Sequence, residues 1–144
     1  MRIRFVKAEA TWALRREVLR PGQPHADVDW PRDHDEDSFH LAAYSGEQPI
    51  AVASFYREKH PELQGWIQYR LRGMATIPGY QGKGIGRRML YFALDHLRAK
   101  KADLLWANAR VTALPFYTKL GFGTHGPEFL IEGIGPHFVV FQRL

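Results

Sequence analysis

Ile3 and Phe5 alternate with Arg4 and Val6 along the segment Arg2 to Lys7. A period of two marks a strand with one face toward a core. From Glu9 to Leu19 the spacing lengthens: Trp12, Leu14, Val18 and Leu19 recur at near-helical intervals until Pro21-Gly22 stops them. This predicts a first helix ending at the Pro-Gly pair. No period organises the Pro-, Asp- and His-rich stretch between Pro21 and Ser38, so its acidic cluster, Asp33, Asp35, Glu36 and Asp37, is expected in an exposed loop.

Phe39 to Tyr44 and Ile50 to Tyr56, joined by Ser45-Gly46-Glu47-Gln48-Pro49, read as an antiparallel hairpin whose nearly all-apolar second strand is buried. After a loop from Arg57 to Gly65, Trp66 to Thr76 carries a further strand pattern interrupted by Gly73. A lone glycine there predicts a bulge or a close backbone approach. From Gly84 to Lys101, Ile85, Met89, Leu90, Ala93, Leu94 and Leu97 fall on one face, opposite Arg87, Arg88, Asp95 and Arg98, the strongest helical pattern in the chain. Leu104 to Ala109 then reads as a short buried strand, and Ala113 to Leu120 as a brief helix capped by Thr112 and stopped by Gly121. Glu128 to Glu132 and His137 to Gln142 predict a closing hairpin.

Composition narrows the class. The 144 residues suit one domain, 1–144, with a core of its own. No apolar run approaches the roughly 18 residues that span a bilayer, and the N-terminus lacks a signal-peptide core, so a cytoplasmic protein without membrane contact is expected. The absence of cysteine excludes disulfides, thiolate metal sites and an acyl-cysteine intermediate. The net charge of +5 fits either nucleic acid or a polyanionic cofactor. The basic residues are scattered, without an arginine-rich tail, which argues against nucleic acid.

The most informative stretch, Thr76-Ile77-Pro78-Gly79-Tyr80-Gln81-Gly82-Lys83-Gly84-Ile85-Gly86-Arg87-Arg88, lies between a strand and the start of the long helix. The first N–H groups of a helix lack internal partners and sit at the positive end of its dipole, so phosphate oxygens bind there. A Walker A loop fails because Gly79 leads to Gly84 and Ile85 where Gly-Lys-Ser/Thr is required. A dinucleotide-binding GxGxxG from Gly82 needs glycine where Arg87 stands, and Asp103 lies at the wrong end of the next strand for the acidic partner. The remaining pattern, Gln/Arg-x-x-Gly-x-Gly/Ala, is met by Gln81, Gly84 and Gly86.

With that motif, the strand before it, the amphipathic helix after it and Ala113-Leu114-Pro115-Phe116-Tyr117-Thr118-Lys119-Leu120-Gly121-Phe122 downstream, the chain resembles the GNAT acetyltransferase family. The resemblance is close from about Trp66 to Phe122 and elsewhere follows element order. It implies an α/β (α+β) GNAT acyl-CoA N-acyltransferase fold, a mixed twisted sheet of about seven strands flanked by helices, with its fourth and fifth strands splayed. Further implied are the acetyl-CoA cosubstrate, its pantetheine arm and acetyl carbonyl on the backbone of Met74, Ala75 and Thr76, and its pyrophosphate on Gln81, Gly82, Lys83, Gly84, Ile85, Gly86 and Arg87.

By the same resemblance Tyr117 protonates the departing thiolate, a reasonable task for a phenol of pKa about 10 in a dry site. The family's asparagine position falls on Arg110 here; Asn108, two residues earlier, is the nearest match as a cofactor contact. The family's strand glutamate has no counterpart, because Trp66 to Thr76 holds no carboxylate. The general base is therefore unassigned, with Glu58, His60, Glu62 and His40 as candidates near the expected mouth. His34, Asp35 and Asp37 lack the second helically spaced histidine that would favour a metal site. The acidic loop Asp33 to Asp37 is expected to attract a cationic acceptor.

Two functions remain in view: an N-acetyltransferase acting on a primary amine of a small molecule or peptide, and a noncatalytic acyl-CoA-binding module that would need the glycine loop but not Tyr117. Nucleic-acid binding would need a continuous basic aromatic face. The sequence leaves open whether the chain acts alone or as a homodimer.

Overall fold

The computed structural model describes residues 1–144. Seven strands form one sheet: β1 (Arg2–Val6), β2 (Phe39–Ser45), β3 (Gln48–Arg57), β4 (Gln68–Thr76), β5 (Leu104–Arg110), β6 (Gly123–Ile131) and β7 (Gly135–Arg143). Their order across the sheet is β1-β2-β3-β4-β5-β7-β6. Every neighbouring pair is antiparallel except β4 with β5. A parallel pair needs a long crossover, and helix α2 (Ile85–Ala99) supplies it. The six apolar side chains predicted for its inner face, Ile85, Met89, Leu90, Ala93, Leu94 and Leu97, are all buried in the main core. The near-continuous apolar run of β3 is explained as expected: residues 50–56 are buried throughout, and both α2 and the N-terminal helical segment touch the strand.

That segment, α1 (residues 8–19), departs from the single regular helix its spacing predicts. It starts as a 3-10 turn, Ala8–Thr11, passes through one α-turn and ends as a π-helix, Arg15–Leu19. The irregularity coincides with Arg15, which is fully buried. Its guanidinium donates two hydrogen bonds to the Asp33 carboxylate, at 2.6 and 3.0 Å, and others to the Val28 carbonyl, Ser54 Oγ and Tyr56 Oη. Asp33 is consequently no member of an exposed acidic cluster: it is buried and paired. The sequence pattern failed here because a buried ion pair has no period.

The splay of β4 from β5 is the feature that positions the site. The two strands pair only at Gln68↔Leu104, Tyr69↔Leu105 and Arg70↔Trp106. At this closed end the Asp103 carboxylate accepts the N–H groups of Trp66 and Ile67. Trp66 itself precedes the strand and is exposed, so β4 starts two residues later than its pattern suggests. Beyond Arg70 the strands part. β5 follows β7 along its whole length, from Leu104↔Arg143 to Arg110↔His137, while β4 follows β3. The β3–β4 register slips opposite Gly73, confirming the bulge. Gly73 has φ +71°, and a Cβ there would lie 2.5 Å from the Trp30 ring, so both the turn and the close approach demand glycine.

Helix α3 (Leu114–Lys119) stands over the open end of the gap. It begins one residue later than expected and has no side-chain cap from Thr112; a 3-10 turn, Val111–Ala113, leads into it instead. Gly121, at φ +89°, ends it as expected. The closing hairpin forms with longer strands than its sequence pattern suggests.

Candidate active site

Two cavities open along the splay. The first, 710 Å³, is bounded by β4, the loop to α2 and α3, and its wall includes Met74, Thr76, Gln81, Gly82, Lys83, Gly84, Ile85, Gly86, Arg87 and Tyr117. Ten of the expected site residues thus meet in one space. Tyr80, Ala113 and Phe116 join them, without having been singled out from the sequence. Ala75 does not line it: its side chain is buried in the core and its backbone is paired with Val52 of β3.

The loop earns its glycines unequally. Gly82 and Gly84 adopt φ of +75° and +80°, conformations that other residues rarely accept. Gly86 is helical, and its hydrogen lets α2 approach Phe116 and Met74, both within 3.6 Å of where a Cβ would sit. The N–H groups of Ile85, Gly86 and Arg87 have no partner within the chain, the first bond to the helix being Arg88 N–H to the Gly84 carbonyl at 3.1 Å. No side chain caps α2 and its first turn holds no acid. Unpartnered amides beside Lys83 and Arg87 suit a diphosphate. Gln81 plays a bracing part, its amide donating to the Thr76 carbonyl at 2.8 Å and closing the loop on the strand.

Tyr117 stands between the rings of Phe116 and Phe122, at 5.1 and 5.3 Å. Its carbonyl accepts the N–H groups of Leu120 and Phe122, fixing the helix end beneath it. Burial alone pushes its phenol up to about 12, and no hydrogen bond within the chain offsets this.

Met74, Ala113 and Tyr117 also line the second cavity, 480 Å³, making a common wall. Asn108 faces this second space and not the first. Its other polar walls come from Arg20, Trp30, Arg70, Arg72, Arg110 and His137, and no carboxylate lines it. Of the candidate bases, none reaches it. His40 is buried between Ser54 and the Asp33 carbonyl, and burial holds it below its usual pKa. Glu58 pairs with Arg70 at 3.3 Å and Arg32 at 3.7 Å, while His60 packs on Trp106, with Glu62 beside it. His137 was missed. It is buried on β7, and its Nδ1 must donate to the Gly135 carbonyl at 2.7 Å, which leaves Nε2 of the neutral ring as a free acceptor. Arg70 and Arg72 carried a readable signal, two cations at strand spacing beside a glycine.

The acidic loop is placed elsewhere. Asp35 and Asp37 border a separate depression with Arg32, Arg57 and Lys59. Its carboxylates therefore line neither cavity, and the expected cationic attraction has no structural footing.

Known proteins agree with this architecture. The family described as "Acetyltransferase (GNAT) family" matches residues 7–122. The uncharacterized N-acetyltransferase YitI of Bacillus subtilis (strain 168) is 35% identical over 144 residues, covering 100% of this chain and 97% of its own. An acyl-CoA N-acyltransferase from Pseudomonas aeruginosa superposes with a TM-score of 0.79 at 19% identity, over 99% of each chain. An aminoglycoside 6'-N-acetyltransferase complexed with coenzyme A superposes at 0.77 with 11% identity, over 99% of this chain and 97% of its own. The chain belongs to the GNAT acetyltransferase family and has its fold. No helix is long and apolar enough to cross a membrane.

Proposed function

We propose that the protein transfers the acetyl group of acetyl-CoA directly to a primary amine of a small molecule or peptide. The observation that carries this reading is the wall of Met74, Ala113 and Tyr117 shared by the two cavities, one suited to the donor and the other to the acceptor. Acetyl-CoA would supply an activated thioester. The free amides of Ile85, Gly86 and Arg87, with Lys83 and Arg87, hold its diphosphate, and the open edge of β4 at Met74 to Thr76 holds its arm.

In the second cavity the acceptor must shed a proton before its nitrogen can attack. His137 Nε2 accepts it, the remaining ionisable side chains of that wall being Tyr117 and arginines. Once the nitrogen has attacked, it gives up a second proton, which replaces the one that Tyr117 Oη gives to the departing thiolate as the C–S bond breaks, and His137 returns the first to solvent. A phenol at about 12 is a weak acid, but the dryness that raises it destabilises the thiolate as well. The products are the N-acetylated amine and free thiol.

Thiol release from acetyl-CoA, measured against a panel of amines, tests the reading. Amine-dependent release is expected. Acetyl-CoA binding without release by any amine would leave the noncatalytic acyl-CoA module.

A further inference from the structure

Four arginines, Arg20, Arg70, Arg72 and Arg110, are among the residues that line the second cavity, and no carboxylate is. Two of these are accounted for within the chain. Arg70 pairs with Glu58, and Arg20 donates to the Leu19 carbonyl at 2.9 Å. Arg110 is exposed to solvent. Arg72 is different: it is partly buried on β4, forms no salt bridge, and its guanidinium lies 4.3 Å from the centre of the Trp30 ring. Burial disfavours its charge, and Arg70, Arg15 and Arg20 add to that.

Arg15 supplies the contrast. It lies 3.9 Å from the same Trp30 ring, and a buried carboxylate neutralises it through two hydrogen bonds. Arg72 has the aromatic contact without the carboxylate. A planar guanidinium next to a cavity, with its donors unspent, fits an oxyanion by a bidentate pair. The rest of the wall is largely apolar, including Leu19, Leu71, Ile131 and Ile134, so the carrier of that oxyanion has an apolar body.

We propose that the acceptor is a small amine carrying a carboxylate or phosphate-type oxyanion on an apolar body, and that Arg72 binds that oxyanion. Polyamines, aminoglycosides and basic side chains are thereby excluded as preferred acceptors. The arginines also act on the amine itself, since neighbouring cations disfavour its ammonium form and favour the neutral nucleophile. That effect works alongside His137, which takes the proton in place of the strand carboxylate that β4 lacks. The inference rests on the second cavity being the acceptor site of the proposed transferase.

The test is calorimetric titration of the protein with N-acetylated aliphatic amino acids, each beside its uncharged amide and its aminophosphonate counterpart. In parallel, thiol release is measured with the corresponding free amines and with spermidine. The acids or phosphonates are expected to bind at least about tenfold tighter than the amides, and the tighter of the two identifies the oxyanion. Arg72→Gln, checked for an unchanged melting curve, abolishes the preference; Arg72→Lys restores part of it. Amides binding as well as acids throughout the panel, or a preference that survives Arg72→Gln, overturns the proposal. Anion-selective binding without thiol release from any amine would keep the anion site and remove the transferase reading. Release with spermidine in preference to the amino acids would do the reverse.

Discussion

The two cavities are built in opposite ways. The first takes its anion-binding groups from one continuous run, Gln81 to Arg87, where a strand turns into a helix. The second gathers Arg20 from just beyond α1, Trp30 from a loop, Arg70 and Arg72 from β4, Asn108 from β5 and His137 from β7. Phosphate binding at a helix N-terminus is local chemistry, fixed by backbone geometry. The second cavity is built by tertiary structure, from residues that lie far apart in sequence. The first is therefore legible from one segment of sequence, the second only from the fold.

The sharpest way to separate the two is to destroy the first alone. Valine at position 84 would be forced to φ near +80°, a conformation that a β-branched residue avoids, and would project into the cavity. A ligand at a hundred times its Kd stabilises its protein by about 2.7 kcal/mol, and Gly84→Val should lose that melting shift for acetyl-CoA entirely. Binding of an N-acetylated acid in the second cavity should persist. If both ligands are lost from a folded variant, the cavities are one site energetically.

Asp33 probes the other side. Asp33→Ala leaves Arg15 buried without its partner and takes the carboxylate from the Trp30 N–H, at an expected cost of about 3–5 kcal/mol. Acceptor binding should weaken, because Trp30 lines the second cavity, while affinity for acetyl-CoA changes little. Burial raises the Asp33 pKa, but hydrogen bonds from Arg15, Tyr56 and the Trp30 amide outweigh it and carry the group from 3.8 to about 2. A depressed carboxylate stabilises the fold above pH 3.8, and that contribution fades as the pH falls through about 2. Wild-type protein should lose stability across this window more steeply than Asp33→Asn, as followed by denaturant titration at each pH. Equal slopes would mean that Asp33 titrates alike in both states.

The fold was legible where one-dimensional periods survive in three dimensions. The inner face of α2, the buried run of β3 and the bulge at Gly73 were all readable, and the glycine loop by its spacing. Arg15 and Asp33 were not, since a buried ion pair between residues 18 apart leaves no period, and both types are usually exposed. His137 was hidden for a related reason. Nothing in a strand pattern says that its neighbour across the sheet is Arg110, at the mouth of a cavity.

Tyr117 lines both cavities, yet loss of its hydroxyl alone should disturb the ground state of neither. Its hydroxyl makes no hydrogen bond within the chain, and Phe keeps the ring contacts with Phe116 and Phe122. Tyr117→Phe should retain its melting temperature and both affinities while kcat falls by roughly 10- to 1,000-fold. With the phenol at about 12, its ionisation lies outside a kcat profile measured up to pH 10. The effect of pH on folding is separate. A phenol raised in the folded state costs stability as the pH climbs from its ordinary 10 through about 12, and the Phe variant should be spared that loss. Wild-type kcat in the variant, with chemistry limiting, would make Tyr117 a packing residue.

The smallest effect is expected from the acidic loop. Converting Asp35, Glu36 and Asp37 to their amides removes three negative charges that line neither cavity. The backbone bonds that hold the loop, Asp35 N–H to the Arg32 carbonyl and Tyr69 Oη to the Asp37 carbonyl, do not involve the altered atoms. A cationic acceptor would have its KM raised by the change. An anionic acceptor drawn to Arg72 has its KM lowered slightly instead, because three repelling charges are gone. Exposed charges are screened over about 8 Å at physiological salt, so the decrease should stay within about threefold at low salt and vanish as salt is added. KM for acetyl-CoA, measured in the same series, tells a local effect from a general one. A selective rise in KM for the amine would return the loop to the acceptor site and reverse the sign of the field ascribed to the second cavity.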